Sequence, residues 1–202
     1  YMAAPWLEEL LRRRILLVTG KGGTGKSSCA AGLALSAVRR GLRTLLIEVE
    51  CSTTARSIFG IKKPSMSPKR SSSGVEVASI EFQKGVEELI HEVMGVPRVV
   101  RVMLRHPVVT RFLRASPSVL DFVTLFQTTR FMAPSGGVGK GYDLVVVDLP
   151  AFGHAKTMLN VGRTARELFK VGPLATRGGY IDDLLHNDVV SKVVIVALPE
   201  EM

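Results

Sequence analysis

The sequence predicts an α/β fold built on a parallel sheet with helices on both faces. Short apolar runs of strand length recur at Ile15–Thr19, Arg43–Val49, Tyr142–Asp148 and Lys192–Leu198. Helix-period segments lie between them, at Ser27–Arg40 and Ala155–Lys170. Runs without an apolar/polar alternation are the pattern of strands covered on both faces, and alternation of strand and helix is the pattern of parallel sheets. The 202 residues, 46% of them hydrophobic, suffice for one core that buries roughly 70% of the surface of the unfolded chain.

In chain order, Leu7–Arg14 is expected as a short charged helix and Ile15–Thr19 as a buried strand entering a glycine-rich turn. The helix from Ser27 carries Ala30, Ala31, Leu33, Ala34, Leu35, Ala37 and Val38, and Gly41 marks its end. After the second strand, Ile61–Gly74 lacks periodicity, holds five serines with Lys62, Lys63, Lys69 and Arg70, and reads as a flexible basic loop. Val75–Ile80 alternates as a short strand. Phe82–Phe131 reads as several helices broken by Pro97, Pro107 and Pro117, a helical insertion over residues 82–132. Tyr142–Asp148 is expected as a central strand ending in an acid, and Lys192–Leu198 as a further buried strand. No internal repeat is visible.

Composition narrows the function classes. Lys+Arg 27 against Asp+Glu 18 gives a net charge of +9, which favours acidic partners: nucleotide phosphates, an anionic bilayer surface or nucleic acid. The two cysteines, Cys29 and Cys51, have no CxxC or Cys/His spacing, so neither a disulfide framework nor a structural zinc site is indicated. The first residues lack a basic segment leading into an apolar one, and no apolar run approaches the roughly 20 residues that span a bilayer. A chain in a reducing cytoplasm, at most peripheral to a membrane, is the expectation.

The chemistry is concentrated in Gly20-Lys21-Gly22-Gly23-Thr24-Gly25-Lys26-Ser27, a full G-x(4)-G-K-[ST] phosphate loop with an apolar strand before it and a helix after it. Glycines let successive N–H groups turn inward around phosphates, and the helix that follows offers the positive end of its dipole. In that arrangement Lys26 reaches the β- and γ-phosphates and Ser27 binds Mg²⁺. Gly136-Gly137-Val138-Gly139-Lys140-Gly141 looks similar, but it precedes a strand and has no Ser or Thr after its lysine, so it is rejected as a nucleotide site. His91, His106 and His186 show no ligand spacing.

Lys21, directly after the first glycine, is a feature most phosphate loops lack. With Ser28 it makes the segment Val18–Ser28 resemble the deviant phosphate loops of the ArsA, MinD and ParA class of P-loop NTPases, the SIMIBI type. The resemblance implies that Lys21 acts in trans, reaching the partner's phosphates across a nucleotide-sandwich homodimer. Leu45–Thr53 sits where ArsA-type ATPases carry switch I, and Glu50 falls at the family's catalytic Asp, with Glu48 in reserve. Either glutamate can instead cap the strand end or bind a lysine. Asp148-Leu149-Pro150-Ala151-Phe152-Gly153-His154 resembles switch II, which implies that Asp148 holds Mg²⁺ and that Gly153 lets the backbone sense the γ-phosphate; His154 can equally be an ordinary satisfied histidine.

The implied activity is Mg-dependent ATP hydrolysis by a dimer that couples turnover to a hydrophobic protein client or a membrane partner. Three alternatives stay open: the ATPase subunit of an arsenite efflux pump, a ParA/MinD-like positioning ATPase that binds DNA or membrane, and a nucleotide-binding regulator that does not hydrolyse, which the altered switch I permits. Within Val93–Leu120, Arg98, Arg101, Arg105, Arg111 and Arg114 interleave with apolar residues. That segment reads as a helical layer on the sheet or, by the resemblance, as a client groove. The family's adenine-recognising segments are expected beyond Met202, so the chain is read as a single domain that stops short of them.

Overall fold

The computed structural model describes residues 5–49, 54–94, 102, 106–114, 116–132, 141–151 and 155–201. Its elements are α1 (Pro5–Leu11), β1 (Ile15–Gly20), α2 (Lys26–Val38), β2 (Thr44–Val49), α3 (Thr54–Ile58), β3 (Lys69–Arg70), β4 (Glu76–Ile80), α4 (Phe82–Met94), α5 (Pro107–Arg114), α6 (Pro117–Met132), β5 (Leu144–Asp148), α7 (Ala155–Phe169), α8 (Pro173–Leu185) and β6 (Ser191–Val196), closed by a 3₁₀ turn at Pro199–Glu201. Six strands form one sheet in the order β3-β4-β2-β5-β1-β6. All pairings are parallel except β3 with β4.

Alternate residues of the buried strands feed two separate cores. Ile15, Leu17, Leu45, Ile47, Val145 and Val147 face a layer made by α4, α6, α7 and α8. Leu16, Val18, Leu46, Leu144 and Val146 face α1, α2 and α3, where Ala30, Leu33, Ala34, Ala37 and Ala55 pack. A two-residue side-chain period with both faces covered explains why these strands read as unbroken apolar runs. The chain leaves α2 through Gly41 at φ 83°, a turn that the missing Cβ permits.

Three expectations are corrected. Within Ile61–Gly74, Lys69–Arg70 pairs antiparallel with β4, so the segment contributes an edge strand. Pro107 and Pro117 fall at helix boundaries as expected, each opening the helix that follows, as suits a residue whose missing N–H would have no acceptor in a first turn. The strand read as buried over Lys192–Leu198 is β6, at the sheet edge, with Val193 and Ile195 exposed. A helix absent from the sequence reading, α8, lies between α7 and β6.

The helices of residues 82–132 form part of the main core. Residues 122–129 of α6 are buried all round. Two of its buried hydroxyls are satisfied locally: Thr128 Oγ1 donates to the Thr124 carbonyl at 2.8 Å and Thr129 Oγ1 to the Phe126 carbonyl at 2.8 Å. The Val93–Leu120 segment is described only in part: Val109, Val119 and Leu120 pack against the core, Val102 and Val108 are exposed, and Arg98, Arg101 and Arg105 lie outside the described residues.

The α8 helix is held by backbone contact with α7. A Cβ added at Gly162 would lie 2.7 Å from the Asp182 amide nitrogen and 2.8 Å from the Gly178 carbonyl oxygen. At Gly179, on the same helix as Gly178, the nearest atom would be the end of a flexible side chain, Arg166 Cδ, at 3.7 Å. Gly162→Ala should therefore cost about 1–3 kcal/mol through forced separation of the two helices. Gly179→Ala should be neutral or should stabilise by up to about 1 kcal/mol, since alanine is the better helix former. Thermal unfolding of the two variants checks the contrast, and an equal loss in both would refute it.

Candidate functional site

Between β5 and the edge strand β6, β1 delivers the chain to the carboxyl edge of the sheet at Gly20, in register with Val196 of β6. A Cβ at Gly20 would stand 2.0 Å from the Val196 carbonyl oxygen, so only glycine fits between the strands there. The loop then turns through Gly23 at φ 84° and Gly25 at φ 88°, both in the left-handed region. Thr24, buried, donates its hydroxyl to the Lys21 carbonyl at 2.9 Å and stiffens the turn.

Lys26 Nζ donates to the same Lys21 carbonyl at 2.8 Å, so its ammonium lies folded back over the loop. Gly25 precedes α2 with no side-chain cap, and the first turn of α2 carries no acid. The early N–H groups of α2 thus keep their demand for an acceptor, at the positive end of the helix dipole. Above Gly22, Gly23 and Gly25 a Cβ would meet nothing within 4 Å, which leaves open space where a phosphate chain can lie. Lys21 and Ser28 are exposed on the rim, and Ser27 lies half-buried in the first turn of α2.

Asp148 ends β5, is 2% exposed, and pairs in register with Val18, two residues before Gly20. The Leu149 N–H donates to the Val18 carbonyl at 3.0 Å and locks that register past the acid. α2 packs against β1 and β5, which brings the helix bearing Ser27 over the strand bearing Asp148. A hydroxyl and a carboxylate are hard oxygen donors that suit magnesium, so the residues present fit that ion together with a polyphosphate.

The family model for the anion-transporting ATPases, ArsA_ATPase, matches residues 13–177. The chain belongs to that family. It is 27% identical over 195 residues to the ATPase BagA of Mycobacterium tuberculosis, a match that covers 91% of this chain and 56% of the relative. A 49-residue stretch is 43% identical to the uncharacterized protein SCO2128 of Streptomyces coelicolor, over 24% of this chain and 13% of that protein. The chain spans little more than half the length of the mycobacterial relative. Among the described residues, no helix is long and apolar enough to cross a membrane.

Of the residues that the family resemblance singles out, the structure gathers Gly20–Ser28 and Asp148 at one edge of the sheet. Glu50, Cys51, Gly153, His154 and the second glycine run over Gly136–Lys140 lie outside the described residues. Glu48 is placed fully buried at the end of β2, directly beside Asp148 in register. Its Oε1 accepts the Arg56 N–H at 2.6 Å, and its Oε2 accepts from Ser79 Oγ at 3.2 Å, with the Arg56 guanidinium 3.8 Å away. Burial pushes the Glu48 carboxyl up and the Asp148 charge adds to that, while the Arg56 amide, the Ser79 hydroxyl and the Arg56 guanidinium pull it down. Sequence reading named Glu48 without its partners, because Arg56 and Ser79 come from two other elements.

Cys29, half-buried on α2, has its thiol pushed up by burial and then by the charge of Asp148, which disfavours the thiolate that a soft metalloid would need. The contact at Gly20 yields a direct expectation for the site. Gly20→Ala should separate β1 from β6, cost about 3 kcal/mol, and abolish nucleotide binding in whatever fraction stays folded. Thermal unfolding with and without Mg-ATP reads both effects; a variant with parental stability and a parental ligand-induced shift in melting temperature would refute the close approach.

Proposed function

We propose that the chain is the nucleotide-binding engine of an ATPase in which ATP closes a homodimer and hydrolysis reopens it. The observation that carries this reading is the Lys26 ammonium folded onto the Lys21 carbonyl, above a glycine loop at the sheet edge beside Asp148. A cation held by one neutral carbonyl in an open cradle can exchange that acceptor for phosphate oxygens, a stronger charge-assisted pairing.

In this reading the N–H groups from Gly22 to Ser28 bind the phosphates. Lys26 orients and neutralises the β/γ bridge, and Ser27 and Asp148 hold the metal. Bound magnesium supplies charge neutralisation across the β- and γ-phosphates. Glu50 accepts a proton from the attacking water and orients it in line with the γ-phosphate, where its carboxylate replaces the family's Asp. Lys21, exposed on the rim, reaches the phosphates of a second copy, and Gly153 supplies the backbone freedom for switch II to respond to the γ-phosphate. The nucleotide cycle then acts on a protein client or a membrane-associated partner in the cytoplasm. ATP is preferred over GTP on the strength of the family and of relatives named ATPases.

Lys26→Ala should weaken Mg-ATP binding by at least about tenfold, the worth of one lost charge-assisted contact. Glu50→Gln should bind Mg-ATP as the parent does but release phosphate about a hundredfold more slowly, as befits removal of a general base. Equilibrium binding with labelled ATP and a phosphate-release assay give both quantities. Parental affinity in Lys26→Ala would defeat the phosphate-loop assignment, and parental turnover in Glu50→Gln would remove Glu50 from the chemistry.

A further inference from the structure

One row of residues crosses the sheet on the α2/α3 face: Val18 of β1, Asp148 of β5, Glu48 of β2 and Ser79 of β4, each in register with the next. Three of the four are buried and polar, in a layer otherwise made of Leu, Val and Ala. A fully buried carboxylate on a strand is costly unless its lone pairs are met. At Glu48 they are met by groups from two other elements, the first turn of α3 and the strand β4.

The bond to Arg56 is the informative one. First-turn N–H groups of a helix have no acceptor within the helix, and a carboxylate placed there also interacts favourably with the helix dipole. Glu48 therefore caps α3 from a distance, closing a ring from residue 48 to residue 56 through a 2.6 Å hydrogen bond. The ring is anchored at both ends: Val49 lies in the sheet core, and Ala55 is fully buried against the α2 layer. Residues 50–53, which include Glu50, are spanned by this chord. Both oxygens of Glu48 are engaged, which leaves the carboxylate poorly placed to take a proton from water.

We propose that Glu48 is a positioning residue for hydrolysis, a buried tether that fixes the start of α3 against the end of β2, the two points of the chain between which Glu50 is carried. The proposal rests on the ATPase reading above and removes Glu48 from the set of candidate bases. The carboxamide of glutamine can reproduce the tether, since its oxygen accepts the Arg56 N–H and its nitrogen donates to Ser79 Oγ. A base cannot be replaced in this way.

The test compares Glu48→Gln with Glu48→Ala in the purified protein, reading kcat and KM for Mg-ATP together with hydrogen exchange at the Arg56 amide. Glu48→Gln should keep kcat within about threefold of the parent, while Glu48→Ala should lose at least about tenfold in kcat with KM little changed, as expected of lost orientation with binding intact. The Arg56 amide should exchange faster in Glu48→Ala. Equal losses in both variants would show that the charge itself takes part in the chemistry, and parental kcat in Glu48→Ala would show that no positioning is needed; either overturns the proposal. If Glu48→Ala does not fold, Arg56→Pro, which deletes the N–H donor, should lower kcat relative to Arg56→Ala, which keeps it, and equal rates in that pair overturn the proposal. A parent that binds Mg-ATP without turning it over defeats the hydrolysis reading instead. The tether is then decided by Arg56 exchange, and unchanged exchange in Glu48→Ala rules it out.

Discussion

The structure depends on a steric constraint at the end of β1: the chain must pass the Val196 carbonyl at Gly20 with no room for a side chain. That approach keeps β1 paired with β6 through its last residue, so the loop starts from a fixed point at the carboxyl edge. Left-handed turns at Gly23 and Gly25 then bring α2 back over the sheet, and the helix lies on the strands it has just left. The anion cradle is a by-product of that reversal: a tight return from strand to helix points several N–H groups to one side. The position of Asp148 is set by the same geometry, since β5 is the other neighbour of β1 and its register is locked to Val18.

Much of this was legible in the sequence because it is local. A strand, a glycine loop and a helix in immediate succession carry their own signals, and Ile15–Gly20 and Lys26–Val38 fall within two residues of their expected bounds. What was not legible depends on distant partners. The α8 helix has two adjacent glycines, Gly178 and Gly179, which weaken any helical signal, and it is the contact of Gly178 with Gly162 that makes one of them useful. β6 repeats the apolar pattern of a buried strand, yet its place at the sheet margin leaves Val193 and Ile195 exposed, a fact of strand order that no local pattern encodes. β3 is two charged residues long, too short to alternate. Glu48 was visible as an acid near a strand end, but Arg56 and Ser79, which give it a task, lie 8 and 31 residues away.

Two carboxylates stand side by side beneath the phosphate loop, and their surroundings divide their roles. Asp148 ends the strand next to the loop, at the carboxyl edge of the sheet. Glu48 has a peptide N–H, a hydroxyl and a guanidinium around it, so its charge is spent inside the fold. Burial and then the Asp148 charge raise the cost of ionising Glu48, and the Arg56 amide, the Ser79 hydroxyl and the Arg56 guanidinium offset part of that cost.

The two margins of the sheet differ in kind. On one side β3 ends the sheet with Lys69 and Arg70, both exposed, a short antiparallel border that repels further strands. On the other, β6 has β1 as its one neighbour among the described residues, and its outer rim carries Val193 and Ile195 with Lys192 as its one charge. Cohesion with other chains is therefore lopsided: in concentrated solution or during refolding, this polypeptide on its own would stick along the β6 rim, and solubilising substitutions belong at Val193 and Ile195 rather than on the basic side.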